Sequence, residues 1–172
     1  MTEQQAKGNR WLWYRLLLWL FILIVFADQW TKQLAVTHLD YGRPVAVVPL
    51  LNWTLLHNTG AAFSFLRGAS PWFFIILSGA IGVFIVAWLW QLRNAIKTIT
   101  PVALVMILAG AVGNVIDRLR LGYVIDFVDV YVKHWHWPAF NLADSAIFVG
   151  AALLIIEEIW RIKKVARKPN QN

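Results

Sequence analysis

The chain has 172 residues, of which 59% are hydrophobic and only 15% charged, with eleven Trp, no Cys and a mean hydropathy of +0.57. Soluble domains are about 45–50% apolar and about 25% charged, so this composition argues against a soluble single core and excludes disorder. Without Cys there are no disulfides, thiolate metal sites or Cys nucleophiles. The net charge of +7 would suit nucleic acid, but in so apolar a chain it points to basic loops on one side of a membrane.

Four apolar stretches follow one another. The first begins near Trp11 and is fully apolar from Leu16 to Ala27. Lys7, Arg10 and Arg15 before it resemble the basic region of a cleaved signal peptide. However, no small-residue cleavage site follows, and Asp28-Gln-Trp-Thr-Lys32 comes instead, so the helix is expected to be retained. Next, Lys32 to Ser70 is a long connection interrupted by Pro44 and Pro49, and Val45 to His57 reads as short extended strands. The second stretch, Pro71 to Trp90, and the third, Thr98 to Ile116, carry no charge. Arg118 to Trp137 is apolar and aromatic and is expected to hold an interfacial helix. The fourth stretch, Pro138 to Ile156, is interrupted only by Asp144. A membrane crossing needs about 20 apolar residues. The chain is therefore read as one domain, 1–172, with spans at about 11–34, 71–90, 98–117 and 138–158. The expected fold is an all-α membrane protein of four transmembrane helices, with a small extended outer segment between the first two.

Ten of the 16 Lys and Arg fall in the N-terminal segment, the second connection (Arg93, Lys97) and the tail from Arg161 to Lys168, all on one side of a four-span chain. By the positive-inside rule both termini are cytoplasmic. Trp11, Trp13, Trp88, Trp90 and Trp160 then mark the inner interface, and Trp72, Trp135 and Trp137 the outer one. The pairs Ala109/Gly113 and Ala146/Gly150 would let the last two helices pack closely.

The acids are the informative minority. Asp28, Asp40, Asp117, Asp126, Asp129 and Asp144 fall on the outer side. An ionisable group in a span costs roughly 2.5–3.5 kcal/mol on insertion scales, which makes it a functional candidate. Asp28 and Lys32, four residues apart on a helix, can pair. Asp117 and Arg118 suit a cap or an ion pair. Asp144 has no cation nearby in sequence, with Asn141 one helical turn before it, and close packing would bring Asn114 toward it. Asp126 or Asp129 could reach Asp144, and spacing does not choose between them. Two close carboxylates cannot both ionise easily; one retains a proton, the other can deprotonate water, and the pair can hydrolyse an amide without metal or thiol.

Other chemistry is weaker. His134 and His136 could bind a metal, but their Trp and Pro neighbours suit an interfacial loop better. His57 has no metal partner in sequence, and Ser64, Ser70, Ser78 and Ser145 lack a triad setting. A proton-coupled transporter would spread carboxylates over several depths, whereas here they gather at one face. A non-catalytic assembly factor would tolerate loss of the acids.

Five short blocks resemble a known family in order along the chain. They are Asp28-Gln-Trp-Thr-Lys32, Asn58-Thr-Gly-Ala-Ala-Phe63, Gly110-Ala-Val-Gly-Asn-Val-Ile-Asp-Arg118, Val124-Ile-Asp-Phe127 and Phe140-Asn-Leu-Ala-Asp144. Together they resemble bacterial lipoprotein signal peptidases, the type II signal peptidases of the inner membrane. The resemblance implies an aspartic endopeptidase that cleaves diacylglyceryl-modified prolipoproteins before the lipidated Cys and is inhibited by globomycin. It implies Asp126 and Asp144 as the catalytic pair, against Asp129. Asn58, Gly60, Asn114, Arg118 and Asn141 would bind or orient substrate, and Asp28, Lys32 and Asp117 would give structural support. The Gly60–Phe63 segment would help form an outer cradle over lipid and peptide. Lipoprotein precursors and membrane lipid are the expected partners of a monomer that uses no nucleic acid, metal or cofactor.

Overall fold

The computed structural model describes residues 3–60, 70–94 and 98–166. Among them lie four α-helices: α1 (Glu3–His38), α2 (Pro71–Gln91), α3 (Thr100–Leu121) and α4 (Leu142–Ala166). Four strands accompany them: β1 (Val45–Val48), β2 (Leu51–Asn58), β3 (Val124–Val132) and β4 (Trp135–His136). The basic residues Lys97, Arg167 and Lys168, together with Ser64 and Arg67, lie outside the described residues.

Local chemistry sets the helix ends. The Ser70 hydroxyl accepts from the Trp72 amide, and Pro71 occupies the first helical position of α2, where its missing N–H costs nothing. Helix α3 stops at Gly122, whose φ of 82° closes the last turn with a bond to the Arg118 carbonyl. Among the described residues three helical segments are long and apolar enough to cross a membrane: Trp11–His38, Pro71–Gln91 and Thr100–Leu121. The 25-residue α4 is comparably long but carries Asp144, Glu157 and Glu158.

Helix α3 is central and contacts the other three helices. Small residues permit this. A Cβ added at Gly150 would meet the Ala103 carbonyl oxygen at 2.7 Å, and Gly110 lies as close to the Ala143 carbonyl. The small-residue contact expected between the last two helices is thus present, with Gly110 taking part beside Gly113.

The sheet is antiparallel, in the order β1-β2-β3-β4. The expected strands between the first two helices are β1 and β2. The second outer segment departs from expectation: instead of an interfacial helix it supplies β3 and β4. Val124 to Val132 is dominated by β-branched and aromatic residues, which suit a strand, and Gly122 has already ended α3. The fold is therefore mostly helical with a four-stranded sheet drawn equally from both connections. Residues 138–141 are not yet helical, because the Phe140 backbone exchanges hydrogen bonds with Val128. Ala35, Leu55, Ile125 and Phe127 form the small core that seats the sheet on the end of α1.

Candidate active site

The site begins at the first turn of α4. The Asn141 Oδ1 accepts from the Asp144 amide at 2.9 Å, and the Asp144 carboxylate accepts from the Asn141 amide at 3.3 Å. This reciprocal cap fixes both side chains at the helix start. The Asn141 amide group faces away from α4 and donates to Asp126 Oδ1 at 2.7 Å, with Asn114 Oδ1 and the Ile125 carbonyl each 3.2 Å away. One buried side chain thus links Asp144 of α4 to Asp126 of β3. Asn114 of α3 donates to Asp144 Oδ1 at 2.8 Å, and Asn58, the last residue of β2, donates to Asp126 Oδ2 at 2.9 Å.

Asp129 lies elsewhere. Residues three apart on a strand point to opposite faces. Asp129 accepts from Asn52 (3.2 Å) and Thr54 (3.0 Å) of β2 and meets His136 Nδ1 of β4 at 2.7 Å. Burial alone would raise its pKa, but the bonds from His136, Asn52 and Thr54 outweigh that and lower it. Asp126 behaves oppositely. Burial and the neighbouring Asp144 charge push it up from 3.8 to about 7, against the smaller opposing effect of its bonds from Asn58 and Asn141.

Beside this pair lies a buried ion cluster. The Lys32 ammonium is 2.9 Å from both Asp28 and Asp117 and donates to Asn114 Oδ1 at 3.0 Å, so its three protons have three acceptors. The expected Asp28–Lys32 pair is present. Asp117 pairs with Lys32 and not with its neighbour Arg118, and also accepts from the Ile125 amide. Asp28 caps the amide of Ala143 at 2.9 Å, tying α1 to the start of α4. Lys32 also fixes which way Asn114 points: the oxygen faces the ammonium, so the amide protons face Asp144.

Arg118 closes the other side. Its guanidinium lies 4.8 Å over the Phe74 ring of α2 and donates to the Gly60 carbonyl at 2.9 Å. Gly60 in turn donates its amide to Asn58 Oδ1 at 3.0 Å, so the end of β2 is held at the same centre. Ala61 to Phe63, expected in the cradle, lie outside the described residues.

A family model described as signal peptidase (SPase) II matches residues 20–160. The chain belongs to the signal peptidase II family. A lipoprotein signal peptidase of Acinetobacter baumannii is 48% identical over 170 residues, covering 95% of this chain and 96% of that protein. One from Coxiella burnetii is 42% identical, covering 91% and 93%. A solved structure titled as a bacterial membrane enzyme superposes with a TM-score of 0.77 at 32% identity, over 91% of this chain and 93% of that one. A second of the same kind gives 0.68 at 34% identity, over 81% and 90%. The signal peptidase II family is one of aspartic peptidases, and the protein is a membrane enzyme of that family.

Every site residue expected of a signal peptidase II that is described lies at this one end of α3, in two touching groups. Sequence reading missed several neighbours. Gln29, within the first block, donates to Asp117 Oδ1 at 2.9 Å and to the Gly113 carbonyl at 3.2 Å. Phe74 gave no signal beyond its place in an apolar run. Asn52 and Thr54, two apart on β2, carried a strand signal for a shared partner. His57, weighed as a metal ligand, stacks on Tyr123 at 4.0 Å and packs tilted against Tyr41 at 4.6 Å, and burial lowers its pKa. His136 is taken up by Asp129, and His134 sits in the turn before β4.

Proposed function

We propose that this membrane peptidase removes signal peptides from diacylglyceryl-modified prolipoproteins by cleaving before the lipidated Cys, with Asp126 and Asp144 as its catalytic pair. The observation that carries the reading is the pair itself: Asn141 donates its side-chain amide to the Asp126 carboxylate and its backbone N–H to the Asp144 carboxylate, and among the described residues no cation forms an ion pair with either. The ionised partner takes a proton from water while the protonated one polarises the scissile carbonyl. The water oxygen bonds to the carbonyl carbon, the C–N bond breaks, and a proton passes to the departing amine. The products are a signal peptide with a new carboxyl terminus and a lipidated Cys with a free amine. Asn58, Asn114 and Asn141 hold the carboxylates, Arg118 and Gly60 shape the substrate side, and Asp28, Lys32 and Asp117 brace the helices. Such fixed positioning lowers the barrier by holding water and peptide together.

In this reading the enzyme sits as a monomer in the bacterial inner membrane with four spans and cytoplasmic termini, the active site is near the periplasmic face, and globomycin-type peptides block it. Support for α4 as the fourth span comes from its alignment with α3. Asn114 meets Asp144 at one end and Thr100 meets Glu157 at the other, so α4 runs antiparallel beside a helix long and apolar enough to cross. Lipid-anchored substrate suits a site at this level, because the diacyl chains stay in the bilayer while the Cys is held at fixed depth. The test is cleavage of a synthetic diacylglyceryl prolipoprotein by purified enzyme. Asp126→Asn and Asp144→Asn should each abolish it, while an unlipidated precursor should be cut poorly. Normal processing by either variant would overturn the assignment.

A further inference from the structure

Gln29 follows Asp28 on α1 and faces the same buried cluster, with Asp117 and Ile125 between it and the carboxylate pair. Its side-chain amide donates to Asp117 Oδ1 at 2.9 Å, with the Gly113 carbonyl and Asp28 Oδ2 each at 3.2 Å. Lys32 lies three residues on and so on the same side of the helix, and its ammonium is 2.9 Å from the other oxygen of Asp117, Oδ2. The Ile125 N–H donates to that same Oδ2 at 3.1 Å. Gln29 thus takes one oxygen of Asp117, and Lys32 and β3 share the other.

Ile125 is where this cluster meets the pair. Its N–H is held by Asp117, and its carbonyl accepts from the Asn141 side chain at 3.2 Å. Side chains therefore hold both peptide planes that flank Ile125. The second plane contains the Asp126 nitrogen, because a peptide unit is rigid and planar. The same Asn141 amide group donates to Asp126 Oδ1 at 2.7 Å. A turn of the Asp117 carboxylate would release the first plane and let Asp126 shift against Asp144. Lys32 alone does not prevent that turn, since an ammonium is a compact charge that bonds either oxygen equally well. A proton from Gln29 on Oδ1 does prevent it, by fixing which oxygen is left for Lys32 and Ile125. We propose that Gln29 is a positioning residue for peptide cleavage: it sets the rotation of Asp117, Asp117 sets the Ile125 peptide, and that peptide sets Asp126. The inference rests on Asp126 and Asp144 being the catalytic pair, as proposed above. A bond to Gly113 alone would make Gln29 a tie between α1 and α3, but the shorter bond is the one to Asp117.

The experiment is steady-state cleavage of the synthetic diacylglyceryl prolipoprotein by the full chain in detergent, with hydrogen exchange at the Ile125 amide read on the same preparations. Gln29→Met keeps the length of the side chain and removes its donors. It should lower kcat by roughly 10–100-fold, the range for a small displacement of a reacting group, and leave KM within about twofold. The Ile125 amide should exchange faster, while amides in the middle of α3 keep their protection. A residue that only tied helices together would instead raise exchange along α1 and α3, with kcat following the folded fraction. Circular dichroism shows that the variant is folded. If Gln29→Met does not fold, the same measurements and criteria apply to Gln29→Asn, which withdraws the amide by one methylene. The proposal is overturned if the folded variant keeps the wild-type kcat, if its loss falls on KM alone, or if the Ile125 amide stays as protected as in wild type. Asp126→Asn measured alongside separates the two readings. Normal cleavage by Asp126→Asn overturns the catalytic pair and this inference with it. An inactive Asp126→Asn beside a fully active Gln29→Met overturns the role of Gln29 and leaves the pair standing.

Discussion

Lys32 meets Asp28 and Asp117 at 2.9 Å each, and every proton of its ammonium has an acceptor. Next to it, among the described residues, Asp126 and Asp144 receive side-chain amides and a backbone N–H group. Both clusters lie at the same end of α3, on aspartates that are buried except for the half-buried Asp144, and Asn114 touches both. The difference is where the compensating charge comes from. In the first cluster a fixed cation supplies it. In the second no cation is in contact among the described residues, and burial together with the neighbouring Asp144 charge holds the Asp126 pKa up.

This contrast can be broken in order of effect. Asp126→Asn or Asp144→Asn should reduce precursor cleavage by about 10³-fold or more, at the upper range for general acid–base groups, while circular dichroism in detergent stays native. Lys32→Met leaves two carboxylates buried without their cation and should cost about 3–5 kcal/mol, read as a lower unfolding midpoint. Adding Asp28→Asn and Asp117→Asn should restore much of that loss, which a purely steric role for Lys32 would not allow. Gly113→Ala places a Cβ 2.5 Å from Asp28 Oδ2; displacing that cap should cost about 1–3 kcal/mol in the same measurement.

The pH dependence sharpens the comparison. The Asp126 pKa rises from 3.8 to about 7 on folding, by burial and then by Asp144. Between those values the folded chain holds a proton that the unfolded chain has released, so this group's contribution to stability falls as pH rises through the window. Asp126→Asn should flatten the slope of unfolding midpoint against pH. Asp129→Asn is expected to have the smallest effect: about 1 kcal/mol of stability from altered hydrogen bonding to Asn52, Thr54 and His136, with cleavage substantially retained. Complete loss of cleavage in a folded Asp129→Asn protein would undo the separation of the two faces.

Much of this was legible in the residues. The apolar runs gave the helices because their length and lack of charge leave few alternatives, and the Pro-bounded pattern from Val45 to His57 gave β1 and β2. The acids stood out as polar groups in apolar surroundings. The error was local: Arg118 to Trp137 was expected to hold a helix, and helical periodicity puts Asp126 and Asp129, three apart, on similar faces. As a strand the same spacing separates them. Reading β-branched Val124 to Val132 as β3 would have parted Asp126 from Asp129 by alternation alone.

By itself the sequence determined the membrane character, the number of long helices and the short list of acids, since these follow from composition and local pattern. It also gave the Asp28–Lys32 pair, which is set by one turn of helix. Only the tertiary structure decided which charges neutralise one another, because that depends on α1, α3, α4 and β3 meeting at one point. Asp117 could have paired with Arg118 beside it and instead reaches Lys32, far away in sequence. Asn141 could have been only a helix cap, and its side-chain amide reaches Asp126 because the backbone of Phe140, just before it, pairs with Val128 of β3.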